Sequence, residues 1–90
     1  MDMAAVEKDW RARGFSFGIW EDPAGQVWEN YEHNEDELFM VVSGDVELEM
    51  DGRARRPKPG EEVLIPAWTR HSVRTSDAGP SRWFYGYKSR

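Results

Sequence analysis

Residues 25–44 read GQVWENYEHNEDELFMVVSG, and within them Tyr31, His33, Glu37, Phe39 and Val41 all fall at odd positions. In an extended strand, residues two apart share a face, so these five side chains are expected to point the same way. That face begins polar and ends apolar, as a strand would if it ran from the mouth of a barrel into its core. An imidazole and a carboxylate on one face make half of a metal site. The other half has to come from elsewhere in the chain. The only other histidine is His71, within EVLIPAWTRHSV at 62–73, a second strand–turn–strand segment.

Outward from this centre the chain punctuates itself. Residues 3–12, MAAVEKDWRA, predict a short helix or irregular arm, with Asp2 as its cap and Gly14 as its end. FSFGIW at 15–20 alternates Phe15, Phe17 and Ile19 and predicts a strand; EDPAG at 21–25 is a turn. Residues 26–33 and 37–43 predict strands on either side of the polar EHNED segment. VELEM at 46–50 alternates apolar and acidic residues, as a half-buried strand does. Asp51-Gly52 is a hairpin signal. A plain two-residue loop there would set Arg55 opposite Leu48, so a bulge that shifts the pairing is expected. PKPGE at 57–61 and SDAGP at 76–80 are turns, and RWFYGYK closes the chain as a last strand. About eight short strands with turn residues every 8–12 positions is the pattern of a sandwich or barrel.

Ninety residues make a single domain with a modest core, read as an arm over 1–14 and a barrel over 15–90. Twelve Lys and Arg against seventeen Asp and Glu give a net charge of −5, which argues against a nucleic-acid partner. Arg53, Arg55, Arg56 and Lys58 follow Glu47 and Glu49 across a short turn and are expected to form cross-strand charge pairs. There is no cysteine, hence no disulfide framework and no thiolate chemistry, which suits the cytoplasm. The first ten residues carry charge and lack an apolar run, so no signal peptide is expected. Nothing approaches transmembrane length, and no membrane partner is expected.

Gly25, Tyr31, His33, Glu37 and Gly44 fall at the spacings of the first motif of the cupins, small double-stranded β-helix barrels, with Tyr31 where the first His of that motif belongs. The second motif is matched by Gly60, Pro66, Trp68, His71 and Thr75, with Trp68 in place of a Gly and Thr75 in place of an Asn. Over residues 15–88 the chain therefore resembles a cupin. The resemblance implies an all-β fold of two antiparallel sheets with a short N-terminal arm, and a divalent transition metal: Mn, Fe, Ni or Zn.

His33, Glu37 and His71 would then be a two-His, one-carboxylate set that leaves positions for water or substrate. Tyr31 has three readings: a phenolate ligand, a hydrogen-bond donor to a metal-bound ligand, or a filler of the space a fourth ligand would occupy. The bland alternative is that His33, His71 and Glu37 satisfy one another, with Arg70 or Arg74, and hold no metal. Phe39, Val73 and Trp68 are expected at the pocket, although a Trp at such a turn more often covers a barrel end. Trp83, Phe84 and Tyr85 read as core and interface rather than as a ligand box.

Two functions stay open. One is a metal-dependent enzyme, oxygenase- or isomerase-like, acting on a small molecule in the barrel mouth, with Tyr31 or Glu35 moving protons. The other is a module that binds or senses a small molecule without turnover, because fold does not settle function. LFMVV at 38–42 is apolar on both faces, and VLI at 63–65 repeats the pattern. Its outer face needs a cover, either the N-terminal arm or a second copy, and a homodimer is expected.

Overall fold

The computed structural model describes residues 1–89; Arg90, the last residue of the expected barrel, lies outside them. The order is α1 (Met3–Ala12), β1 (Gly18–Asp22), β2 (Val27–Tyr31), β3 (Glu37–Ser43), β4 (Val46–Met50), β5 (Arg53–Arg55), β6 (Glu62–Ile65), β7 (His71–Thr75) and β8 (Ser81–Tyr87). Two four-stranded sheets, ordered β1-β8-β3-β6 and β2-β7-β4-β5, face each other, and every pairing is antiparallel. This is the expected barrel of two sheets. Alternation along each strand sends one set of side chains between the sheets. There Phe39, Val41, Val46, Leu48, Val63, Ile65, Val73 and Trp83 form the core. No helix of the described residues is long and apolar enough to cross a membrane.

The arm is a helix, and it covers the outer face of β3. Asp2 caps it by accepting from the Ala5 N–H at 3.2 Å. Trp10 is fully buried, packs edge-on against Phe17 with centroids 5.6 Å apart, and donates its indole N–H to Glu62 at 3.0 Å. With Leu38, Met40 and Phe84 it forms a second apolar cluster, flanked by Val6, Phe15 and Phe17. Of the two covers that the sequence allows, the arm takes this surface. A homodimer through Leu38 and Met40 is thereby deprived of its apolar face; only Ile19 and Leu64, 43% and 50% exposed, are left at the flanks.

Three local expectations are corrected. Strand β1 begins at Gly18 rather than residue 15, because Phe15 and Phe17 pack under α1, with Phe15 making only an isolated bridge to Lys88. The 51–52 hairpin has no bulge: Leu48 pairs with Arg55, and both turn residues adopt positive φ (51° and 80°), as a type I′ turn requires. Arg55 is accommodated because β5 is a sheet edge, where its side chain stays exposed and pairs with Glu61. The strand expected over 26–33 stops at Tyr31, and it does not share one sheet face with the strand that opens at Glu37. Strand β2 belongs to one sheet and β3 to the other, and 32–36 crosses between them.

The chain leaves β3 through a tight turn at a motif glycine. Gly44, at φ 87°, ends β3 where an added Cβ would lie 2.7 Å from the Pro80 carbonyl oxygen and Ser81 Cα. Only a residue without a side chain fits. Of the expected cross-strand charge pairs only Arg56 with Glu47 forms, and Arg56 also meets Asp45; Arg55 turns to Glu61, and Glu47 and Glu49 are held instead by Arg74 of the neighbouring strand β7.

Candidate metal centre

Three elements bring the site together. His33 lies on the crossing segment, Glu37 opens β3 and His71 opens β7. Two contacts clip the crossing segment to the turn before β7. The Trp68 N–H donates to the His33 carbonyl at 2.8 Å, and the Ala67 N–H to the Asp36 carboxylate at 2.7 Å. Both imidazoles are fixed from behind. Nδ1 of His33 lies 2.8 Å from the Glu35 carbonyl oxygen, and Nδ1 of His71 lies 3.0 Å from that of Thr69. A carbonyl only accepts, so each Nδ1 carries the hydrogen and each Nε2 is turned inward.

Both Nε2 atoms meet Glu37. Its Oε1 lies 2.9 Å from His33 Nε2 and 3.8 Å from His71 Nε2, and one donor atom from each of the three residues falls within 4.8 Å of the others. Donors about 2.1 Å from one ion, at tetrahedral or octahedral angles, stand roughly 3.0–3.4 Å apart, so the His33–Glu37 pair is near that spacing and a small inward shift of His71 would complete a set for a divalent transition metal. Electrostatics point the same way. Burial pushes the Glu37 carboxyl up from its ordinary range, with His33 opposing the shift. Burial pushes His71 down, partly offset by its bond to Thr69. An anion and imidazoles held out of water in this way are compensated by a cation among them. Arg74 is engaged with Glu29, Glu47 and Glu49 on the outside, so it does not neutralise Glu37. The contact that Glu37 makes within the protein is with the histidines.

The triad lies at a cavity of about 440 Å³ between the sheets. Phe39 and Val73 line it, together with Ile65, Tyr31 and the triad. Tyr31 pairs in register with His71, is 48% exposed, and packs against Trp28 with centroids 6.1 Å apart. The Glu35 side chain is not among the lining groups; Glu35 serves the site through its carbonyl. Trp68 is corrected: it is 67% exposed and outside the cavity, held at φ 64° where the motif has a glycine. Thr75, in the place of the motif Asn, accepts from the Gln26 N–H and donates to the Pro23 carbonyl, tying down the turn before β2.

Trp20, Trp28, Trp83, Tyr85 and Tyr87 complete the wall, and sequence reasoning missed them as pocket residues. The missed signal was the alternation of β8: Trp83, Tyr85 and Tyr87 share the inner face while Phe84 faces α1. Tyr87 stands edge-on to His33 with centroids 5.1 Å apart. Burial, then the nearby Glu37 charge, push its phenol up to about 12, so it keeps its proton and can donate a hydrogen bond into the cavity.

Comparison with known proteins agrees with this architecture. Residues 18–87 match the cupin domain family, Cupin_2. A dimethylsulfoniopropionate lyase, DddQ, of Ruegeria pomeroyi is 34% identical over 56 residues, which is 61% of this chain and 28% of the lyase. A 5-nitrosalicylic acid 1,2-dioxygenase of a Bradyrhizobium species is 33% identical over 52 residues, 58% of this chain and 25% of the enzyme. The chain thus matches about a quarter of the length of these curated relatives. Among solved structures, a putative mannose-6-phosphate isomerase of Ralstonia eutropha superposes with a TM-score of 0.73 at 28% identity, covering 87% of this chain and 77% of the other.

Proposed function

The chain belongs to the cupin domain family, and on that footing we propose that it is a metal-dependent enzyme acting on a small carboxylate-bearing molecule held in the barrel mouth. The observation that carries the proposal is the meeting of His33, Glu37 and His71, with both imidazoles held by backbone carbonyls, at a cavity with otherwise aromatic and aliphatic walls. A Mn, Fe, Ni or Zn ion held by these three would supply Lewis-acid or oxygen-activating chemistry. The protein's own part is to orient and exclude. Tyr87, protonated at neutral pH, donates to a ligand oxygen beside the triad, and Tyr31 faces the same space from β2. The aromatic walls keep water from the rest of the ligand.

Both curated relatives are named for a small carboxylic acid, propionate in one and salicylic acid in the other. A phosphorylated sugar fits less well, because no Lys or Arg lines the cavity among the described residues. The competing reading is binding without turnover. A homodimer belongs to this proposal only through the flanking Ile19 and Leu64, and light scattering at micromolar concentration reads it.

The test is metal content first, then turnover. Loaded in turn with Mn, Fe(II), Ni and Zn and desalted, the wild type should keep about one ion per chain, and His71→Ala should keep none. Retention of no metal by the wild type would sink the proposal. Product formation or oxygen uptake across small carboxylic acids then separates enzyme from binding module. Tyr31→Phe should lower turnover with the metal still bound; equal rates would remove Tyr31 from the chemistry.

A further inference from the structure

Asp22 is a buried carboxylate, 5% exposed, at the end of β1 and outside the metal site. Its Oδ1 accepts from Trp20 Nε1 at 2.8 Å and its Oδ2 from Trp28 Nε1 at 2.6 Å. Trp20 is on β1 and Trp28 on β2, so one carboxylate ties the two sheets together at the side of the barrel where both indoles line the cavity. With both N–H groups bound to Asp22, the indoles have no hydrogen-bond donor left for a ligand. What they offer is π surface, made more electron-rich by the anion behind it.

The shape of this wall matters as much as its charge. Trp20 and Trp28 meet at 76° and Trp28 and Tyr31 at 53°, so neighbouring rings form corners rather than a parallel-sided slot. A flat aromatic ligand is best held between parallel faces, whereas a compact, rounded group fills a corner. Among the described residues the triad's Glu37 is the only Asp, Glu, Lys or Arg that lines the cavity. We propose that the Asp22-locked corner of Trp20, Trp28 and Tyr31 is a subsite for a compact alkylated cation, such as a trimethylammonium or dialkylsulfonium group. Asp22 acts on it as a positioning residue through the two indoles. The inference rests on the preceding reading in taking this cavity as the ligand site, and it adds the chemistry of the end of the ligand away from the triad.

The test uses metal-free protein, so it is independent of metal uptake and turnover. Choline and its uncharged isostere 3,3-dimethylbutan-1-ol are titrated into wild type, Asp22→Asn and Trp20→Leu, with tryptophan fluorescence and calorimetry as readouts. Choline should bind wild type about five- to tenfold more tightly than the alcohol, the size of one partly exposed cation–π contact. Asp22→Asn should erase most of that preference while leaving affinity for the alcohol within about twofold, whereas a merely structural loss would weaken both ligands alike. Trp20 is 42% exposed, so Trp20→Leu should fold and should also reduce the preference. Equal affinity for the two ligands in wild type, or tighter binding of the planar salicylate than of choline, would overturn the proposal. A protein that holds no metal yet prefers choline would refute the enzyme reading and support this one; one that holds metal and does not bind choline does the reverse.

Discussion

Replacing Glu37 by Gln should make the metal-free protein more stable at neutral pH while destroying its hold on metal. Glu37 is 7% exposed and its carboxyl titrates above its ordinary range, chiefly because burial disfavours the anion. A group whose folded pKa is raised contributes stability that is fully present below the unfolded pKa, about 4.3 for Glu, and is lost as pH rises through the folded value. Across that window one proton changes stability by up to about 1.4 kcal/mol per pH unit. For a domain of this size that is roughly 5–10 °C in Tm per unit. His71 has the opposite sign: its lowered pKa costs stability as pH falls below about 6.5. It is common to both proteins, so the difference between wild type and Glu37→Gln reads the carboxylate together with its contacts to the two imidazoles. Thermal melts of metal-free protein from pH 4 to 8 should show Glu37→Gln gaining on wild type as pH rises. Metal titration should show a loss larger than the roughly 10–100-fold that follows from removing an outer partner of a ligand. Parallel melting curves, or a variant that still holds metal, would refute the assignment of Glu37 as a buried anion held in readiness for a cation.

Two further substitutions test the frame around the site. Trp10→Ala should cost about 3–5 kcal/mol, since it empties a fully buried position under β3, and denaturant titration would read it. A loss below about 1 kcal/mol would mean that α1 does not hold that face. Trp68→Gly should raise stability by about 1 kcal/mol, because Trp68 sits at φ 64° with its side chain in solvent, while its N–H to His33 is kept. A drop in the denaturation midpoint instead would show that the indole packs against something that this chain needs.

The sheets are stitched by a buried polar contact at one edge and by apolar packing elsewhere. Asp22 bridges β1 to β2 through Trp28, while Thr75 and Gln26 fasten the turn that precedes β2. The cavity therefore opens between two edges held at fixed separation, and the positions of Tyr31 and His71 follow from the β2–β7 pairing. The outward charges of Arg74, Glu47 and Glu49 take no part in this.

Short-range chemistry was enough to reveal much of the molecule. Alternation marked the strands, Asp51-Gly52 marked the hairpin, and the spacing of Gly25, His33, Glu37, Gly44, Gly60 and His71 pointed to the barrel and its three candidate ligands. Such signals are legible because strand period and turn stereochemistry are local properties. Sequence could not show which sheet each strand joins. For that reason Tyr31, His33, Glu37, Phe39 and Val41 read as one continuous face although β2 and β3 lie in opposite sheets, with His33 carried on the crossing between them. Nor could it assign the outer face of β3 to α1 rather than to a second copy, since either cover buries the same Leu38 and Met40. The aromatic wall was hidden for the same reason. Trp20, Trp28 and Trp83 come from three strands and become neighbours only when the sheets close, and only then does Asp22 find both indoles within reach. Ligand identity is written along the chain at fixed spacings; the cavity those ligands serve is a product of long-range packing.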